Sequence, residues 1–155
     1  MTARQELLRL TQRLDSAFGR AGKLGDDLEL RADFARYLCV LVSGYLETAV
    51  VECAGSYVAR KSAPPVAAYA SRALDRFANP NAERLLQLIG SFSADWRVSV
   101  EEFLVDERKE AVDSVVALRN QIAHGESVGV TYVRIKAYYD AVREVVSFIA
   151  KVFEQ

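Results

Sequence analysis

Histidine occurs once in this chain, at position 124, so any acid-base chemistry near neutral pH has one obvious side chain to start from. Cysteine occurs twice. Cys39 and Cys53 stand fourteen residues apart on one expected helix, about 21 Å along its axis, which excludes a bond between them. Both read as small buried hydrophobes. A lone histidine and two distant cysteines do not make a zinc set, and glycine-rich phosphate loops are missing as well, so neither metal nor cofactor is expected. With three prolines and eight glycines in 155 residues, long stretches run without a breaker. No segment alternates cleanly with period two, which argues against a sheet.

Charge of one sign is also lacking. A net charge of −1 excludes a protein that coats nucleic acid through bulk positive potential, so contact with RNA would have to come from a local cleft. The charges are unevenly spread. Arg4, Arg9, Arg13, Arg20 and Lys23 face only Glu6 and Asp15 before Gly25, whereas Glu101 to Asp113 holds six acids against Arg108 and Lys109. Solvated helix faces account for both runs. The most apolar stretch, Leu38 to Val51, is too short for a bilayer span and contains Glu47, so it reads as a core helix and no membrane partner is expected. With no signal peptide and no disulfide framework to read, a cytoplasmic location is the expectation.

A chain of this length and globular composition suits one domain, residues 1–155, around one core. Leu7, Leu10, Leu14 and Phe18 mark an amphipathic first helix from about Ala3 to Phe18, stopped by Gly19, Gly22 and Gly25. Asp26 or Asp27 then caps a long helix to about Arg60, whose apolar width implies burial on more than one side. Pro65 opens a short helix to about Phe77, and Asn79-Pro80-Asn81 restarts another over Ala82 to Phe92. After a stretch around Trp96 with no clear pattern, a helix from about Val100 or Asp106 reaches Ala123. Thr131 caps a last helix with Tyr138, Val142, Val145, Ile149 and Val152 on its packed stripe. The fold class is all-α, an up-and-down bundle of three or four long helices with short connectors.

The densest chemistry lies in Arg119-Asn120-Gln121-Ile122-Ala123-His124-Gly125. His in the last turn followed by Gly is an ordinary helix stop, in which His124 complements the dipole and Gly125 takes the left-handed conformation. That account leaves two residues unexplained. Arg119 interrupts the stripe of Val112, Val115 and Ile122 at helical spacing, and Asn120, a poor helix former, stands one turn below His124, where the two side chains can meet. The tyrosines and phenylalanines fall mostly on core faces, so no base-stacking platform is read from them.

Arg119-Asn120-x-x-x-His124 is similar to the R-polar-x-x-x-H pattern of HEPN domains, and the fuller text of Leu118 to Gly125, LRNQIAHG, resembles their RiboL-PSP branch. A second stretch agrees: LCVLVSGYLE, Leu38 to Glu47, is similar to the apolar run ending in Leu-Glu on an early long helix of that branch. The resemblance runs from about Ala32 to the C-terminus. It implies a HEPN-like helical bundle that forms a homodimer with two motif copies facing each other, and in many members a metal-independent endoribonuclease acting on RNA. Arg119 and His124 would then be catalytic, with Asn120 holding the imidazole or touching phosphate. Glu47 is a weaker candidate, either catalytic or a buried carboxylate that neutralises Arg119. An antitoxin or defence-system partner is a further expectation, for a toxin or antiviral effector. The alternative is a non-catalytic dimerisation or ligand-binding module of the same fold. One departure is Glu126, where related toxins often carry a tyrosine; modification at that place is not implied.

Overall fold

The computed structural model describes residues 2–155, and among them the chain forms seven helices and no strand. The first, α1 (Ala3–Ala21), opens on a capping box: the Thr2 hydroxyl accepts from the Gln5 amide at 3.1 Å and the Gln5 side chain accepts from the Thr2 amide at 2.9 Å. It runs through Gly19 rather than stopping at Phe18. One exposed glycine costs about 1 kcal/mol, too little to end a helix whose Phe18 and Ala21 are buried on either side of it. The Asp27 carboxylate then caps α2 (Leu28–Lys61), a helix of 34 residues and about 51 Å.

Three connectors follow: α3 (Pro64–Leu74), α4 (Ala82–Phe92) and α5 (Ala94–Phe103). Helix α3 starts one residue earlier than expected and ends before Phe77, whose amide closes a turn on the Leu74 carbonyl instead. The patternless stretch around Trp96 is α5, started by the Ser93 hydroxyl, which accepts from the Trp96 amide at 3.3 Å. The motif helix therefore begins at the later of its two expected starts: α6 (Asp106–Ala123). Asp106 turns the chain there with a φ of 52°, a left-handed conformation that aspartate tolerates better than most residues. Thr131 caps α7 (Tyr132–Phe153) by accepting from the Arg134 amide, as expected.

Antiparallel and parallel pairings fix the layout. Helix α7 runs antiparallel to α1, with the Tyr132 hydroxyl donating to the Phe18 carbonyl and the Tyr139 hydroxyl donating to Asp15 at 2.8 Å. It runs parallel to α2: Tyr139 meets the Tyr45 ring edge-on, and near the other end Arg60 donates to the Phe153 carbonyl at 2.8 Å. Helix α6 returns antiparallel beside α7, joined through Arg108–Glu144 at 3.0 Å, and just before it Phe103 at the end of α5 stacks on Phe148. All seven helices contribute to one hydrophobic core.

Helix α2 is at the centre, flanked by α1, α3, α6 and α7. By length and mean hydropathy it meets the requirement for crossing a membrane, yet Leu38, Val42, Leu46 and Ala49 are fully buried by these neighbours, as in the core helix of a bundle. Burial also pushes the Cys39 and Cys53 thiols up to about 11. At the far end of α2, Tyr57, Phe92, Trp96 and Phe153 interlock edge to face, tying α4 and α5 to the bundle.

Candidate active site

The motif occupies the last turns of α6. Val112 and Val115 on its inner face are fully buried, and Ile122 packs partly against the core. Arg119, next on that stripe, is half-buried, so its aliphatic stem covers apolar surface while the guanidinium reaches outward. Its Nη1 donates to the Asn120 side-chain oxygen at 3.4 Å, and no carboxylate lies within ion-pair distance of it among the described residues.

The helix ends in a Schellman motif. The Glu126 amide donates to the Gln121 carbonyl at 3.0 Å and the Gly125 amide to the Ile122 carbonyl at 3.1 Å, with Gly125 at a φ of +74°. Glycine is required there by conformation, not by crowding, since a Cβ would meet nothing within 4 Å. The stop is thus built from backbone, and the His124 imidazole takes no part in it. His124 is exposed, and its ring forms no hydrogen bond or ion pair among the described residues. A free imidazole five residues beyond a guanidinium supplies a group that can exchange protons near one that can hold an anion.

Asn120 does not hold the imidazole. Its carbonyl accepts from the His124 amide at 3.1 Å as part of the helix ladder, while its side-chain oxygen is turned to Arg119. It also lines a groove of about 390 Å³ between α4 and α6, together with Lys109 and Asp113. Asp113 accepts from the Ala82 amide at 2.8 Å and so helps cap α4. Lys109, Asp113 and Asn120 recur at spacings of four and seven along α6, so this face was readable from periodicity, although the sequence reading did not single it out.

Glu47 is not brought to Arg119 within one protomer. The Cys39 thiol donates to the Val115 carbonyl at 3.8 Å, fixing the antiparallel register of α2 and α6. From that crossing Glu47 lies two turns one way and Arg119 one turn the other, about 18 Å apart along the axis. The buried pair, one of the two readings for Glu47, is therefore not formed within one protomer. Among the described residues no three His, Cys, Asp or Glu side chains cluster closely enough to hold a metal ion.

The RiboL-PSP-HEPN family model matches residues 3–155. The chain belongs to the RiboL-PSP-HEPN family. The match extends the likeness upstream of Ala32 to take in α1, and an all-helical bundle is the architecture it calls for. Set against curated proteins and against solved structures, this RiboL-PSP-HEPN chain finds no match.

Proposed function

We propose that this HEPN domain is a metal-independent endoribonuclease whose site is completed by a second copy of the chain. The observation that carries the reading is the state of the motif: among the described residues the exposed His124 ring forms no hydrogen bond or ion pair, and Arg119, five residues earlier, has no carboxylate within ion-pair distance. Cleavage by the 2′-hydroxyl requires a base for that hydroxyl, an acid for the departing 5′-oxygen and a cation for the charge gathering on the phosphorus oxygens. His124 takes the proton from the 2′-oxygen as that oxygen attacks phosphorus. The partner copy's imidazolium donates to the 5′-oxygen as its bond to phosphorus breaks. Arg119 presents its fork to two of the phosphoryl oxygens. Asn120 steadies Arg119 through its side-chain oxygen.

The products are a 2′,3′-cyclic phosphate and a 5′-hydroxyl. Purified protein incubated with total RNA in EDTA should yield these ends, fail on a substrate with a 2′-deoxy group at the cut, and lose activity in His124→Ala without loss of helical circular dichroism. Cleavage that needs Mg²⁺ or survives His124→Ala overturns the mechanism. A second reading rests on the Schellman motif, which accounts for Gly125 with no catalysis at all. It makes the domain a non-catalytic module, and the absence of cleavage together with loss of a dimer in His124→Ala would support it. If the RNase reading holds, cytoplasmic RNA is the substrate, and an antitoxin or defence-system protein restrains the activity as a toxin or antiviral effector. Growth arrest on expression that vanishes with His124→Ala tests that role.

A further inference from the structure

A well-formed groove lies away from the motif residues. It lies between α1 and α2, about 560 Å³ in volume, with Leu10, Leu14 and Leu41 along its floor. Its rim is basic. Arg9, Arg13 and Arg20 line the α1 wall, and no acidic side chain lines the groove at all. The three arginines fall within about 40° of one another around α1 and span about 16 Å, three helical turns. Arg9 is engaged by Glu6 and Arg20 donates to the Ser16 hydroxyl at 3.0 Å, while Arg13 has no ion pair among the described residues. On the α2 wall, Tyr37 and Val40 remain 48% and 39% exposed, an apolar surface left open in the middle of the most apolar helix.

Gly44 lies on that same wall. It sits near the middle of α2, where glycine costs about 1 kcal/mol relative to alanine, and a Cβ there would meet nothing within 4 Å. Nothing within the protomer requires it. A glycine at an exposed helix centre leaves room for close approach of something from outside.

The geometry points to this groove as the docking site for an acidic amphipathic helix of a partner protein. Apolar side chains at i, i+3, i+4 and i+7 would enter over Gly44 between Leu14 and Leu41, and carboxylates on their flank would meet Arg13 and Arg20. Charge complementarity selects the acidic partner. RNA fits less well, because the arginines stand on one wall alone and the facing α2 wall, with Tyr37, Val40, Leu41, Tyr45 and Thr48, carries no cation. A second copy fits less well too, because the acidic run of Glu101 to Asp113 has Val105 as its only large exposed apolar residue, the α6 stripe being buried at home. Neither Arg119 nor His124 lines the groove, and peptide binding is read without RNA cleavage.

Fluorescence anisotropy of the full chain with a labelled helical peptide of about four turns, leucines on one face and glutamates on the other, tests the site. Saturable, salt-sensitive binding is expected, and Gly44→Leu and Arg13→Glu should each weaken it at least about tenfold. Gly44→Leu should at the same time unfold at a higher temperature, because leucine is the better helix former and its Cβ meets nothing within 4 Å. That pairing of greater stability with lost binding is not produced by misfolding. Equal binding of a scrambled peptide of the same composition, binding unchanged by Gly44→Leu, or displacement of the peptide by single-stranded RNA overturns the proposal. So does failure to bind in a protein whose dimer Gly44→Leu converts to monomer, since a second copy would then occupy the groove.

Discussion

His124 and Gly125 are adjacent and do different work, and the sequence could not separate them. The pattern of histidine then glycine reads as a cap. In the structure the cap is made by the backbone of Gly125 and Glu126, which frees the imidazole. Gly125→Ala should therefore cost about 1 kcal/mol from the left-handed φ alone, with no clash; urea unfolding measures it, and an unchanged midpoint would show the turn is not strained. At Arg119 a lysine keeps the charge and loses the fork. We expect Arg119→Lys to cut RNA at least about a hundredfold more slowly with folding unchanged, and near-normal cleavage would reduce Arg119 to a point charge. The cysteines read correctly as buried hydrophobes. Their thiols rise from an ordinary 9.0 to about 11 on folding, so the unfolded chain ionises first: this contribution to stability is complete below about pH 9 and is lost as pH climbs through 11, about 2 to 3 kcal/mol per thiol. Denaturant midpoints between pH 8 and 11 should fall accordingly, and a thiol reagent at pH 8 should label neither cysteine until the protein is unfolded.

At the scale of elements, the long helices were legible because their apolar periodicity is sustained over many turns, and the short ones less so. Helix α7 appears from its Thr131 cap onward as expected, with Ile135 and Tyr139 buried beyond the stripe that was read. Helix α5 was missed because only Val100 along its length is buried, which leaves too little periodicity to see. Which of its two readings Glu47 takes within one protomer was not legible for a different reason: it depends on the register between α2 and α6, and one chain's spacing does not encode which residues lie opposite each other. The same holds for Asp113, which reaches across from α6 to the Ala82 amide. Replacing it with alanine should destabilise by about 1 kcal/mol, the usual worth of a helix cap. If Asn81 alone suffices for α4, the unfolding midpoint of Asp113→Ala will not move.

At the scale of the whole molecule, one histidine per chain becomes the constraint. General acid and general base in a single turnover are two groups, and a symmetric pair of chains supplies the second without another histidine in the sequence. The prediction is a homodimer in which both copies of Arg119 and His124 face one cleft. Light scattering gives the first reading, and a strictly monomeric protein that still cleaves RNA sinks it. A stronger reading comes from mixing wild-type chains with an excess of His124→Ala chains and allowing them to exchange. If two imidazoles act together, nearly every wild-type chain is paired with an inactive partner and activity per wild-type chain collapses. If each protomer cuts alone, activity per wild-type chain stays constant however much variant is added. The same experiment with Gly44→Leu chains in place of His124→Ala should leave activity intact, because neither Arg119 nor His124 lines the α1–α2 groove.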